Sequence, residues 1–318
     1  MKIFKDKNIL VTGGTGFVGS HIVEELVRVE ANVTTTFLTA NPRSYFFTKK
    51  LDKKVNMAHV DVGDYESVLD LVTKFSIDYI FHLAAQPLVE VAYYNPRRTL
   101  YSNILGTVNI LESTRLYPKI KSVIIASSDK AYGKLKKNKY EEGDPLLGDH
   151  PYEASKSSAD LIAQSYFKTY GLPVIITRFG NIYGEGDLNF SRIIPAIMKA
   201  IVRGTTLDIR SDGKYVRDYL YVKDVVTGYL LLAKNIDDVR GEVFNFGSRE
   251  TLSVLEIVNL ISKYLKKKIN YKILNCAKNE ISYQSIDYSK IQKRLHWNPR
   301  FNLIKSIIGV FNWYKKIL

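Results

Sequence analysis

The sequence predicts an α/β fold, a doubly wound parallel sheet followed by a smaller α/β unit, and three observations predict it. Nearly all-apolar runs of strand length alternate with segments of helical period as far as Phe179. A glycine-rich turn follows the first of those runs. After Phe179 the alternation becomes irregular, with Gly and Asn gathered at Gly180-Asn181-Ile182-Tyr183-Gly184 and at Asn245-Phe246-Gly247. Strands that are apolar on both faces and separated by helices require a parallel sheet covered on both sides, and such sheets bind ligands at the carboxyl ends of their strands.

The strand-length runs are Asn8 to Thr12, Asn32 to Leu38, Val55 to Val60, Tyr79 to Leu83, Ser122 to Ser127 and Val174 to Phe179. Helical patterns lie between them at Phe17 to Val29, Tyr65 to Phe75, Arg97 to Tyr117 and Tyr152 to Tyr170. Later, Ser253-Val254-Leu255-Glu256 has the spacing of a capping box and opens a helix to about Lys266. Leu303 to Ile317 reads as an amphipathic terminal helix. The expected division is 1–180 and 181–318, with segments about 215–247 returning to the first unit. The chain carries no internal repeat.

Composition narrows the function. With 46% apolar and 25% charged residues the 318-residue chain is an ordinary globular sequence. Its single cysteine, Cys276, excludes an intrachain disulfide and a cysteine-based zinc cluster, and no metal site is expected. Met1 to Lys7 is too polar for a signal peptide, and no apolar run approaches the ~20 residues of a membrane helix, so a cytoplasmic protein without a membrane partner is expected. The net charge of +14 attracts anions in general. Its densest lysine clusters, at 134–139 and 266–268, lack interleaved aromatics and match no nucleic-acid motif, so they read as solvated surface.

Gly13-Gly14-Thr15-Gly16-Phe17-Val18-Gly19 joins the first strand to a helix. Glycines at 13, 16 and 19 permit a tight turn, close approach of a pyrophosphate, and close helix-to-strand packing, with the helix N-terminus facing the phosphates. An acid at the end of the second strand would hold the adenosine ribose of NAD, but none occurs from Ala31 to Leu51; Thr36, Thr39, Asn41 and Arg43 stand there instead. Arg43 suits the extra phosphate of NADP or is a surface arginine. Asp61-Val62, ending the third strand, suits an adenine contact or a loop cap.

Ser127-Ser128-Asp129-Lys130-Ala131-Tyr132-Gly133 ends the fifth strand, and Tyr152 and Lys156 follow at helical spacing behind Pro151. A phenol, with a reference pKa of about 10, becomes a base near neutrality only if positive charge lowers that value. Lys156 and an oxidised nicotinamide would both do so. Arg217 and Arg192 each suit a diphosphate. His21 and His82 are expected only to pack.

Together these residues resemble the extended short-chain dehydrogenase/reductases that act on nucleotide sugars. The motifs are Gly13-x-x-Gly16-x-x-Gly19, Phe81-His82-Leu83-Ala84-Ala85-Gln86, Asn103-x-x-Gly106-Thr107, Ser128, Tyr152-x-x-x-Lys156, Arg178-x-Gly180-Asn181-x-Tyr183-Gly184 and Arg217-Asp218-Tyr219-x-Tyr221-Val222-x-Asp224. The resemblance implies a Rossmann domain with a smaller nucleotide-sugar domain, and a homodimer through helices about 97–117 and 152–170. It implies NAD, with NADP as the alternative, held by Gly13, Thr15, Gly16, Phe17, Val18, Thr36, Arg43, Asp61, Val62, Leu83, Ala84, Ala85, Tyr152 and Lys156. Substrate contacts are implied for Gln86, Ser128, Asn181, Arg192 and Arg217.

In that family 4-epimerases usually carry small or apolar residues where this chain has Asp129 and Lys130, whereas 4,6-dehydratases carry an acid followed by Glu or Lys. The Asp-Lys pair is similar to the dehydratases acting on CDP-glucose, as are Gln86-Pro87-Leu88-Val89 and Gly186-Asp187. The implied activity is formation of a 4-keto-6-deoxy sugar, a step of deoxysugar and cell-surface polysaccharide biosynthesis. Tyr152 would take the 4-hydroxyl proton and Ser128 bond the same oxygen, while Lys130 takes the C5 proton and Asp129 protonates the departing 6-hydroxyl. A 4-epimerase, or a nucleotide-binding protein without catalysis, is the alternative. The chain is shorter than typical members, and its second-strand end does not decide the cofactor.

Overall fold

The computed structural model describes residues 2–276 and 281–318. Its strands, in chain order, are β1 (Asn8–Thr12), β2 (Asn32–Phe37), β3 (Asn56–His59), β4 (Tyr79–His82), β5 (Ser122–Ala126), β6 (Lys139–Tyr140) and β7 (Val174–Phe179). There follow β8 (Asn181–Tyr183), β9 (Leu207–Ile209), β10 (Val216–Tyr221), β11 (Val243–Phe246), β12 (Thr251–Ser253), β13 (Tyr271–Ile273) and β14 (Tyr283–Ile286). Seven of them make one parallel sheet in the order β11-β7-β5-β4-β1-β2-β3. The chain winds outward from β1 to β3, then crosses to β4 and winds the other way. That reversal puts a crevice at the carboxyl ends of β1 and β4, where Thr12 pairs with His82.

Alternation along the inner strands builds two cores. Ile9, Val11, Phe81, Ile124 and Ile175 face one side, against Ile22 and Leu26 of helix Phe17–Arg28 and Val225 of helix Val222–Lys234. Leu10, Ile80, Val123, Ile125 and Ile176 face the other, against Val68, Leu71, Ile110 and Ala163. Helix Pro151–Tyr170 lies on this second side beside the helical segment Pro96–Leu116, which contains one wide π turn at Tyr101–Leu105. The expected helix at 97–117 is present, but the wide turn is not visible in its pattern.

A second sheet runs β12-β10-β14-β6, with β8 also pairing β10, and β13 pairs β9. A third core joins helix Ile193–Arg203 to Val254–Leu265 and Leu303–Ile317 through Ile197, Met198, Ile257, Ile261, Ile307 and Tyr314. The capping box forms as expected: Glu256 accepts from the Ser253 amide at 2.7 Å and Ser253 Oγ accepts from the Glu256 amide at 3.3 Å.

One buried polar junction ties these parts together. Arg178, on β7, donates from Nε and Nη2 to Asp160 of helix Pro151–Tyr170 at 2.8 and 2.9 Å. Its Nη1 donates to the Tyr132 hydroxyl at 2.9 Å and to the Glu142 carbonyl at 3.1 Å. Tyr132 donates in turn to Asn245 of β11 at 2.7 Å. Burial works against the guanidinium's charge, and the Asp160 hydrogen bonds more than reverse it, so its pKa is raised.

Removing one member of a buried pair strands the other charge. Arg178→Met is therefore expected to lower the unfolding free energy by about 3–5 kcal/mol, seen as a drop in the urea midpoint, and adding Asp160→Asn to that variant should recover part of the loss.

Candidate active site

The glycine turn sits at the crevice. Gly13 has φ +68°, and a Cβ there would lie 3.0 Å from Ala84 Cα, so the turn abuts the segment leaving β4. No side chain caps helix Phe17–Arg28 at Gly16, which is exposed, and the first turn holds no acid; Thr15, Phe17 and Val18 flank that end. Its free amide end is a ready anion site of the kind a pyrophosphate takes. Leu83, Ala84 and Ala85 are half-buried on the facing segment. Thr36 is buried and its hydroxyl accepts from the Gly13 amide at 3.1 Å, so it braces the turn. Arg43 is exposed. Asp61 Oδ1 accepts from the Gly63 amide at 2.9 Å, the loop-capping alternative, and lies beyond the end of β3 at His59; Val62 is buried.

A chain of hydrogen bonds crosses the crevice floor. Thr12 Oγ1 accepts from the Leu83 and Ala84 amides, both at 3.1 Å, which leaves its proton for His82 Nδ1 at 2.9 Å. His82 Nε2 then donates to Thr107 Oγ1 at 3.2 Å, and Thr107 donates to the Asn103 carbonyl at 2.8 Å. Burial, with the charge of Lys156 adding to it, pushes the His82 imidazole down to about 3, so the ring is neutral. His82 does more than pack. The wide turn presents Asn103, whose amide meets both main-chain groups of Gln86 and donates to Ser155 Oγ at 2.9 Å. Ser155 donates onward to the Tyr152 carbonyl at 2.7 Å.

Gln86 was expected among the substrate contacts, and the structure spends its side chain otherwise. Its amide donates to Thr99 Oγ1 at 2.9 Å and to the Leu88 carbonyl at 3.0 Å, and accepts from the Leu88 amide at 2.5 Å. It shapes the loop after β4.

Ser128, Asp129, Lys130, Tyr152 and Lys156 converge at the end of β5. Ser128 opens a short 3₁₀ turn, accepts from the Lys130 amide at 3.1 Å and donates to Asp129 Oδ1 at 3.1 Å. Lys130 Nζ lies 3.4 Å from Asp129 Oδ2. With their side chains 24% and 6% exposed, the two are no surface pair. Lys156 Nζ donates to the Ala126 carbonyl at 2.7 Å, and burial pushes it down to about 8, partly offset by Asp160.

Burial raises the Tyr152 phenol, and the neighbouring Ser128 hydroxyl and then the charge of Arg192 oppose it. Arg192 itself pairs with the buried Asp187, Nη1 to Oδ2 at 3.2 Å. Arg217 is half-buried on β10 and donates to the carbonyls of Val216, at 2.8 Å, and Ile281. Asn181, half-buried on β8, stands opposite Tyr219 of β10.

The Ser128–Tyr152–Lys156 cluster and the glycine turn both lie at the carboxyl ends of the sheet strands. A family model described as GDP-mannose 4,6 dehydratase matches residues 10–308. The chain belongs to that family. It is an enzyme family within the extended short-chain dehydrogenase/reductases. The chain is 29% identical to CDP-glucose 4,6-dehydratase of Salmonella typhimurium, over 98% of this chain and 91% of the relative. Among solved structures it resembles the dTDP-glucose 4,6-dehydratase of Bacillus anthracis in complex with NAD, at 28% identity and a TM-score of 0.85, covering 98% and 97% of the two chains. It also resembles the UDP-glucose 4-epimerase of Thermotoga maritima with UDP-glucose, at 28% identity and a TM-score of 0.88, covering 97% and 99%. One scaffold is thus found in a dehydratase and in an epimerase.

Sequence reasoning assigned no role to Thr12, Ser155, Asp160 or Gln284. The first three sit at helical or strand spacing from assigned residues, which is a usable signal; Gln284 has none. Asp218 lies on β10 near Asp129. Burial, with Asp129's charge adding to it, pushes Asp218 up to about 7.

Lys156 carries a pH signature. Its folded pKa of about 8 lies below its ordinary 10.5, so the cost of burying the ammonium is fully present below pH 8. Between those values the unfolded chain holds a proton that the folded protein has released, and stability rises with pH. The unfolding free energy of the wild type minus that of Lys156→Met is expected to rise by up to about 3 kcal/mol from pH 8 to 10.5, measured by urea titration.

Proposed function

We propose that this protein is an NAD-dependent nucleotide-sugar 4,6-dehydratase, with CDP-glucose the favoured substrate. The observation that carries the reading is the Asp129–Lys130 pair, packed against Ser128 and within the same site as Tyr152. An epimerase needs only the Ser128, Tyr152 and Lys156 part. The proposed division is 1–180 for the cofactor and 181–318 for the sugar nucleotide, with about 215–247 returning to the first unit.

Bound NAD would supply the hydride acceptor and donor for the sugar and a positive charge favouring the Tyr152 phenolate. The uncapped end of helix Phe17–Arg28 and the cleft between Gly13 and Ala84 fit its pyrophosphate. Arg43, exposed beyond the second strand, keeps NADP as the alternative. Tyr152 takes the 4-hydroxyl proton. Lys130 takes the proton at C5 and later gives one back there; Asp129 delivers a proton to the departing 6-hydroxyl, which leaves as water.

Ser128 completes the balance. Tyr152 ends each cycle with one proton too many and Asp129 with one too few; Ser128 donates to the Asp129 carboxyl and bears on the Tyr152 phenol. The proton taken from the 4-hydroxyl would return through Ser128 to the carboxyl that must supply one to the 6-hydroxyl. Arg217 and Arg192 would meet the diphosphate, Arg192 by leaving Asp187, and Asn181 would meet the sugar.

A homodimer through helices about 97–117 and 152–170 belongs to the same reading. Leu100, Tyr101, Leu105, Leu116, Leu161 and Tyr170 stand exposed along them, from 38% to 54%.

Two measurements test this. Incubation with CDP-glucose, dTDP-glucose, UDP-glucose and GDP-mannose should give, for one of them, a product lighter by one water in mass spectrometry, with NAD released on denaturation. Asp129→Asn should slow that loss at least about a hundredfold while cofactor stays bound, and undiminished turnover would sink the assignment. Separately, Leu105→Glu combined with Leu161→Glu should convert a dimer to a monomer in light scattering; a wild type that is itself monomeric would refute the interface.

A further inference from the structure

We infer that Gln284 is a positioning residue that aims the Lys130 amine, linking the chemistry at Asp129–Lys130 to the strand pair that carries Arg217. The inference rests on the dehydratase reading. Gln284 is 1% exposed and lies on β14, a four-residue strand far along the chain from the Ser128 turn. Its Oε1 accepts from Lys130 Nζ, and its Nε2 donates to the Asp129 carbonyl at 3.2 Å. One side-chain amide therefore grips both members of the pair, one by its main chain and one by its charged end.

The geometry of the nitrogen gives this grip its use. A lysine nitrogen is tetrahedral, with three directions besides its bond to carbon. Asp129 Oδ2 and Gln284 Oε1 take two of them. A single direction remains, and it carries a proton when the group is charged and the lone pair when it is neutral. Fixing that direction is what a proton-transfer group on a long flexible stem requires, since an unrestrained lysine has many rotamers. Gln284 also faces Arg217 across the β10–β14 ladder, and the Arg217 guanidinium donates to the Ile281 carbonyl, on the same segment as β14. A ligand phosphate drawn to Arg217 thus acts on the strand pair that holds Lys130.

The test uses full-length protein and whichever of CDP-glucose, dTDP-glucose, UDP-glucose and GDP-mannose the wild type dehydrates. Gln284→Met keeps the side chain's length and removes both hydrogen bonds. Single-turnover formation of reduced cofactor should stay within about twofold of wild type, while water loss and deuterium uptake at C5 from D₂O fall about ten- to hundredfold. In a Lys130→Met background the same change should slow water loss by less than about twofold more, because its effect runs through Lys130. Gln284→Glu, which keeps an oxygen toward Lys130, should be faster than Gln284→Met; if the methionine variant does not fold, the glutamate variant decides the matter by slowing water loss more than formation of reduced cofactor. Equal loss of both half-reactions, or additive effects on the Lys130→Met background, would overturn the positioning role and leave the dehydratase reading standing. A wild type that removes water from none of the four sugars overturns both.

Discussion

The arrangement of the site depends on the buried pair between Arg178 and Asp160. A guanidinium buried on an apolar strand is expensive unless its donors find acceptors and the charge a partner. Here two donors go to one carboxylate, and Nη1 goes to the Tyr132 hydroxyl and the Glu142 carbonyl. Those partners come from separate elements: the helix that bears Tyr152 and Lys156, the turn that bears Ser128, Asp129 and Lys130, and the loop beyond β6. Asp160 follows Lys156 by one helical turn and Tyr152 by two. The distance from Ser128 to Tyr152 is thereby set from beneath, by an interaction that does not touch the reacting groups.

A second constraint acts at the crevice. The chain from Thr12 through His82 and Thr107 to Asn103 is satisfied in one direction only, with His82 neutral and its proton on Nε2. It fixes the segment after β4 against the glycine turn, and through Asn103 and Ser155 it reaches the first turn of the Tyr152 helix. The wide turn at Tyr101–Leu105 is what brings Asn103 to both. The floor of the crevice and the Tyr152 helix are therefore one polar unit, which accounts for four buried hydroxyl and amide side chains in a largely apolar layer.

Much of this was legible in the sequence where order along the chain matches order in space. The six strand runs and four helices of the first half fall within one or two residues of their observed ends, because apolar periodicity is local. The seventh strand, Val243–Phe246, was not among them: it is short, broken by Asn245, and exists by pairing with β7. The same limit governs the site. Ser128, Asp129, Lys130, Tyr152 and Lys156 were legible as motifs, and they do meet. What acts on them was not, since Gln284 reaches Lys130 only through tertiary contact. Gln86 errs the other way, its motif position being clear and its amide consumed by Thr99 and Leu88.

The Asp129–Lys130 pair therefore has a different character from an adjacency at a strand end. An exposed lysine and aspartate would contribute about 1 kcal/mol or less and point wherever solvent allowed. Here the carboxyl is closed off by Ser128 on one oxygen and Lys130 on the other, and the amine by Asp129 and Gln284. The amine retains a single free direction, and each carboxyl oxygen already holds one partner. Two residues that must trade protons with a single sugar gain most from such confinement, because the cost of orienting them is met in folding and not at each turnover. That is the physical difference between this site and one that needs only the serine, tyrosine and lysine of the shared scaffold.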